Sequence, residues 1–517
     1  MKVNQLKIGA ILSYTVLILN MLVGILYTPI LTKSLGQSEY GIYSMVASII
    51  TMLTVLDFGF GNAIIVYTNK YKAQKNKEKE QKLHGMFFLI YTVIGVIAGI
   101  IGIILYLNVD RLFDNTMSIS ELLIAKKLML ILTFNLIITF SFSIFSSIIT
   151  AYEKFIFSKS LNIMRIILSP VIMYIFLKMG YRSIALVSIT TILNVGVLSL
   201  NLFYCLKKLK ISLKFKGFDL KILKEIIAYS FWVFLNSIVD KINWTVDQFI
   251  LGSVSGAVAV SVYSIGAQLN HIYLSFSTAI SGVLLPKITK MESEKCSDDE
   301  FTKIFIKTGR IQFLMMGLVI TGFVLFGKQF ILLWQGIDYI KSYYIACILM
   351  IPVTVPLIQN VGISILQAKN KIRFRSLMLV AIACLNVVLS IILSRKYEGI
   401  GSAIGSAISF VIGQIIIMNI YYKKRVGIDI IKFWSNIIKM CIPVAITVLF
   451  GVLINKICYA TSYKVLIVEI MCYSLVYMVM SWIFIMNDNE KNIFIKPLKV
   501  ITSKLTKNWK VEEKNEK

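Results

Sequence analysis

Four polar side chains recur on one helical face of an otherwise apolar stretch: Asn236, Asp240, Asn243 and Asp247, within FWVFLNSIVDKINWTVDQFI at 231–250. The steps i, i+4, i+7 and i+11 place all four on one stripe, with Lys241 beside it. A charge at the centre of a bilayer costs roughly 3 kcal/mol on insertion scales. Such a stripe therefore faces a bundle interior or a water-filled cavity. Two chemistries follow: a polar path through a membrane protein, or hydrogen bonds and ion pairs that hold helices together. A later run repeats the spacing with Ser264, Gln268, His271 and Ser275, where the matching earlier run has Ser44, Ser48, Thr51 and Val55. Asn135, Thr139, Ser143, Ser146 and Thr150 form a further stripe, although small polar residues also serve ordinary helix packing in membranes. Asp57, in LDFGFGN, is the one acid of its run. It is a candidate coupling carboxylate for a proton or cation, or a structural acceptor where Gly59 and Gly61 loosen the helix. His271 is either a packing residue or a proton switch. Lys241 and Arg165 are cationic candidates for an anionic ligand, and Arg165 lies close enough to its run's end to snorkel.

No GxSxG, Walker loop or HExxH motif is present. Seven scattered cysteines without CxxC, and two histidines, give neither a disulfide framework nor a zinc site. The longest outer loop, roughly 108–127, is too short for a catalytic domain. The expectation is a non-enzyme without a bound cofactor, driven by an ion gradient (H+ or Na+), a substrate gradient or a partner.

The elements that must position these residues are membrane spans. The chain is 57% hydrophobic and 15% charged, with a mean hydropathy of +0.79, which defines an all-α polytopic membrane protein. Its start lacks a small-residue cleavage site and reads as a retained first span. Apolar runs near 10–32, 41–67, 86–107, 128–150, 160–178, 183–206, 225–251, 258–285, 311–328, 342–367, 376–394, 400–422, 435–455 and 465–486 predict about 14 transmembrane helices. Lys- and Arg-rich loops at 70–82, 207–224, 369–375 and 423–432 alternate with short, nearly neutral ones, so these loops and both termini are expected in the cytoplasm. The formal net charge of +28 is then a collar facing anionic lipid headgroups, and nucleic-acid binding has little support.

The sequence also repeats. Tyr43 in YGIYS returns as Tyr263 in VSVYS, and Lys70 as Lys290, both at a shift of 220. AYEKFIFSKS (151–160) lines up with AKNKIRFRSL (368–377) at 217, and FYCLKKLK (203–210) with IYYKKRVG (420–427). The expected organisation is an N-terminal six-helix lobe at 1–206, a basic cytoplasmic linker at 207–224 and a C-terminal six-helix lobe at 225–422. An extra helix pair at 433–487 and a basic tail at 488–517 complete it. Six being even, the lobes are parallel repeats about an axis along the membrane normal.

The run YTPILTKSLGQSEYGIYSMVASIITMLTVLDFGFGNAI (27–64) resembles the first two spans of polysaccharide-transport proteins. These are the lipid-linked repeat-unit flippases (O-antigen and capsular types) of the MATE-like multidrug/oligosaccharidyl-lipid/polysaccharide exporter superfamily. VDQFILGSVSGAVAVSVYSIGAQL (246–269), LLPKITKM (284–291) and ITAYEKFIFSKSLNIMRII (149–167) carry the same resemblance. It implies two six-helix lobes, V-shaped and alternating between inward and outward openings, in a bacterial cytoplasmic membrane. It implies an oligosaccharide on undecaprenyl diphosphate as substrate, with a polysaccharide polymerase and chain-length machinery as candidate partners. A pyrophosphate favours cations near the cytosolic entrance: Lys154, Lys159, Arg165, Arg373 and Arg375 qualify by position, Lys241 deeper in. The competing expectations are a cation or drug antiporter of the same superfamily, a flippase for the peptidoglycan lipid precursor and, from another class, a membrane glycan polymerase or ligase.

Overall fold

The computed structural model describes residues 5–217, 220–281, 284–488, 490–492 and 495, and these residues form helices without a strand. Hydrocarbon offers no partner for backbone N–H and C=O groups, so apolar runs of this length satisfy them internally as helices. In chain order these are α1 (Gln5–Leu53), α2 (Phe60–Ala73), α3 (Lys77–Leu107), α4 (Val109–Phe113), α5 (Ile119–Ala151), α6 (Phe155–Lys178), α7 (Ser183–Lys207), α8 (Leu220–Val254) and α9 (Ala257–Ser281). The second half continues with α10 (Leu285–Ser293), α11 (Asp298–Trp334), α12 (Lys341–Ile358), α13 (Val361–Ala368), α14 (Ile372–Phe410), α15 (Met418–Tyr421), α16 (Ile430–Ile457) and α17 (Tyr463–Met480). Polar residues start several of them. Ser118 and Glu121 form a reciprocal capping box on α5, Asn76 caps α3, and Asp429 caps α16.

Ten helical segments among the described residues are long and apolar enough to cross a membrane. Two of these, 8–73 and 372–426, contain a break where the sequence expects separate spans: Gly36 in α1 and Glu398 in α14 leave helical geometry. The predicted seventh span, 225–251, falls within α8, and the predicted eighth, 258–285, starts in α9 and runs past its end at Ser281; neither helix is among the ten. The predicted span 41–67 is not one helix. It passes into a 3-10 turn at Thr54–Asp57, and Phe58 and Gly59 both take left-handed conformations before α2 begins. Gly59 permits this at little cost, whereas Gly61 lies inside α2 and leaves the helix intact. The predicted span 342–367 is likewise divided, at 359–360 between α12 and α13.

Contacts group the chain into two units, residues 1–268 with 374–413, and residues 269–373 with 414–517. In the first unit, small residues set helix spacing. A Cβ at Gly41 would lie 1.8 Å from the Ala257 carbonyl oxygen, so α1 and the start of α9 meet backbone to backbone. A Cβ at Gly99 of α3 would meet Ile137 of α5 at 2.6 Å. Glu39, almost fully buried, accepts from the Ser183 amide (2.9 Å) and hydroxyl (2.6 Å) at the start of α7, and pairs with Arg182 at 3.0 Å. A carboxylate there complements the partial positive charge of a helix N-terminus.

The two arms of α14 on either side of Glu398 run antiparallel. A Cβ at Gly401 would lie 2.2 Å from the Leu393 oxygen, and one at Gly405 would lie 2.8 Å from the Ser390 nitrogen. The sequence GSAIGSAIS (401–409) thus supplies a small-xxx-small contact surface and, at the adjacent positions, a ladder of hydroxyls.

The second unit packs around aromatic side chains. The Phe305 ring meets Phe433 at 4.9 Å and Tyr422 at 5.6 Å, and Phe326 meets Tyr473 at 5.7 Å. Arg310 of α11 is buried and forms a two-pronged pair with Glu490, at 2.7 and 2.9 Å, while also donating to the Ile485 carbonyl at 2.7 Å. This fixes the segment after α17 to α11.

Candidate functional site: a buried carboxylate centre

Asp247 projects from α8 into the first unit and is 1% exposed. Four hydroxyl groups donate to its carboxylate: Tyr263 of α9 at 2.7 Å and Ser406 at 2.9 Å to Oδ2, Ser390 and Ser402 at 2.8 Å each to Oδ1. Asn386 completes the centre, its Oδ1 lying 3.0 Å from the Ser390 Oγ and 2.9 Å from the Ser406 Oγ. Ser402 and Ser406, four residues apart on one arm of α14, face Asn386 and Ser390, four apart on the other. The Gly401 and Gly405 contacts bring those arms close enough to share one acceptor. Next to this polar centre, α8 and α14 pack through Val239 against Leu379, Ile382 and Ala383.

Each hydroxyl carries one proton. Three acceptor oxygens, two on Asp247 and one on Asn386, receive six close hydroxyl contacts from four such protons. The centre is therefore rich in oxygen lone pairs. No cationic side chain pairs with Asp247 among the described residues, so its charge is met by hydroxyl dipoles alone. The Asn386 Nδ2 and the Oδ1 of Asn243, one turn along α8, are buried without a hydrogen-bond partner.

Asp57 holds a different position. It ends the 3-10 turn just before the Phe58–Gly59 break, is half-buried, and accepts from the Tyr91 hydroxyl of α3 at 2.7 Å. At the shift of 220 that relates Tyr43 to Tyr263, the place of Asp57 is taken by Ser277, and that of Asp247 by Tyr27. In the sequence, each half thus has a carboxylate at a position where the other has a hydroxyl. The Tyr27 oxygen is buried and unpartnered.

The remaining candidates are dispersed. Asn243 is buried on the Asp247 side of α8, whereas the side chains of Asn236 and Asp240 lie outside the described residues. Lys241 is half-buried. Gln268 donates to the Thr28 hydroxyl (2.9 Å) and the Gly24 carbonyl (3.1 Å) of α1, and His271 is exposed. Arg165 reaches the Asn194 oxygen at 3.3 Å, and the Asn194 amide donates to Asn135 and Thr139, joining the predicted α5 stripe to α6 and α7. Lys154 and Lys159, at the start of α6, are half-buried. Arg373 is exposed and Arg375 half-buried. Ser390, Ser402, Ser406, Asn386, Tyr263 and Glu39 escape a motif search. Their available signal is the i, i+4 pairing of polar residues inside apolar runs.

The chain belongs to the family described as "Polysaccharide biosynthesis protein", which matches residues 6–292, more than half of its length. A Shigella flexneri protein assigned by name as an O-antigen transporter is 22% identical over 401 residues, 76% of this chain and 92% of that one. Among solved structures, the lipid II flippase MurJ in an inward closed conformation superposes with a TM-score of 0.68 at 17% identity, over 95% of this chain and 99% of that one. An inward-facing multidrug resistance MATE family transporter gives 0.61 at 15% identity, over 80% and 94%. The fold is thus shared with these solved transporters and flippases.

Proposed function

We propose that this chain is a flippase that moves oligosaccharide repeat units linked to undecaprenyl diphosphate from the inner to the outer leaflet of a bacterial cytoplasmic membrane, by alternating access. The observation that carries the reading is the match of residues 6–292 to a polysaccharide biosynthesis family in a chain built of membrane-length helices. A sugar chain cannot enter hydrocarbon unaided, so it needs a polar route, while the polyprenyl tail stays in lipid. In this reading there are fourteen crossings, both termini are cytoplasmic, and residues 1–206 and 225–422 act as the two lobes. Lys154, Lys159, Arg165, Arg373 and Arg375 attract the diphosphate near the cytoplasmic entrance.

Coupling falls to the two carboxylates. Among the described residues Asp247 has no cationic partner and sits among surplus oxygen acceptors, an environment that suits a proton or a hard monovalent cation held by carboxylate, amide and hydroxyl oxygens. Asp57, half-exposed beside a broken helix, has the freer exchange with water. A polysaccharide polymerase and chain-length machinery are the expected downstream partners.

The test is deletion of the gene in its own host, with two pools measured together: mature surface polysaccharide, and lipid-linked repeat units on the inner leaflet. Loss of the first with accumulation of the second supports flipping. No change in either pool overturns the reading in favour of small-molecule antiport, for which dye efflux is the direct assay.

A further inference from the structure

A cavity of about 290 Å³ opens in the second unit where the first turns of α11 and α16 meet the segment after α17. Lys303 and Lys307 of α11 and Lys432 and Asn436 of α16 line it, and the buried Arg310–Glu490 pair forms its wall. The charge balance is one-sided. Among the described residues Glu490 is the sole acid of the lining, and it is already engaged by Arg310 through both oxygens. The three lysines have no carboxylate partner among the described residues, so the cavity carries three uncompensated positive charges.

The surroundings of the pocket suit the level of lipid headgroups. Both α11 and α16 run from it as membrane-length apolar helices. Trp482, 39% exposed, lies near the end of the last span with the Lys491 ammonium 5.9 Å from its ring centre. Tryptophans at this level mark the membrane–water interface. Further along the same side of α16, Ile446 and Phe450 are exposed, an apolar surface on which acyl chains can lie.

We propose that this pocket binds the phosphate headgroup of an anionic membrane lipid. Basic pockets between spans are the form such recognition takes in membrane proteins. Phosphate oxygens would receive charge-assisted hydrogen bonds from Lys303, Lys307 and Lys432, and Asn436 adds a neutral contact at the rim. Arg310 is a positioning residue: locked to Glu490 and Ile485, it holds the post-α17 segment as the third wall. The proposal does not depend on what the chain transports.

The experiment uses the purified full chain in neutral detergent, following thermal unfolding against short-chain phosphatidylglycerol, phosphatidylcholine of the same chain length, and inorganic phosphate. A saturable rise in Tm with phosphatidylglycerol and none with phosphatidylcholine is expected. Apparent affinity should weaken about fivefold for K303Q or K432Q alone and roughly a hundredfold for K303Q/K307Q/K432Q. The loop variant K75Q/K77Q/K79Q should respond like the unmodified chain. Equal responses in the pocket and loop variants would overturn the site, since they would report a general attraction to basic surface. An equal rise with millimolar inorganic phosphate would overturn the lipid source in favour of a free-phosphate site. Should the triple variant fail to fold, the single variants decide the matter, and undiminished affinity in both refutes the proposal.

Discussion

Replacing Asp247 by asparagine tests the carboxylate centre most directly. The aspartate accepts four hydroxyl bonds of 2.7–2.9 Å. Hydrogen bonds to a charged group contribute about 1.5–3 kcal/mol each, and neutral ones about 0.5–1.5. Asparagine keeps one acceptor oxygen and turns the other into an NH2 group, so two bonds weaken and two must reverse direction. Ser390 and Ser406 can turn their protons to the Asn386 oxygen, and Tyr263 then keeps only the neutral Ser406 hydroxyl within reach. Interhelical bonds in membranes average near 0.6 kcal/mol because the unfolded chain in lipid also finds partners. We therefore expect D247N to cost about 2 kcal/mol, S402A and S406A about 0.6–2 each, and D247L, which orphans four donors, about 4. The assay is thermal unfolding in detergent with a double-mutant cycle between D247N and S402A. Coupling of about 0.5 kcal/mol or more is expected, as for residues in direct contact. Strict additivity, or full stability of D247L, would refute a carboxylate held by this hydroxyl cage.

At Glu39, the Arg182 partner is 63% exposed, so the ion pair itself contributes little, and E39Q should cost about 1 kcal/mol. E39A also loses both Ser183 bonds and should cost at least twice as much; equal losses in unfolding experiments would contradict the capping role. G41A drives a methyl into the Ala257 carbonyl and should destabilise by about 3 kcal/mol or more. G196A, with nothing within 4 Å of its added methyl, should be neutral or stabilise by up to about 1 kcal/mol. A reversed order would show that helix spacing is not set at Gly41. Reporters fused within 70–82 and 207–224 should both give cytoplasmic signals, and export at either site breaks the proposed topology.

Much of the helical framework is legible in the sequence, because span length and loop charge are one-dimensional signals. The polar spacing of α8 identifies Asp247, and LDFGFGN marks the region where the second span breaks. The bonds of Asp247 are not legible, because its donors come from residues up to 159 positions away. Ser402 and Ser406 resemble ordinary small packing residues until the glycines beside them bring the two arms of α14 together. Glu39 is similarly obscure: in sequence it belongs to a short polar stretch between spans, and only the fold places it under α7. The break at Phe58–Gly59 rather than Gly61 depends on a left-handed phenylalanine, a conformation that composition does not announce.

The arms of α14 leave almost no freedom in chain length. Glycine and serine alternate with the same four-residue step, so one register sets both the backbone approach and the hydroxyl ladder. A single residue inserted between Glu398 and Ser402 would turn everything after it by about 100° around the helix axis. Both faces would be lost together. The 208–217 stretch, by contrast, holds no helix or strand and carries no such periodicity. Among homologous chains, gaps should therefore gather in that linker and be absent from the α14 turn, making the interval between residues 386 and 406 a length marker for this centre.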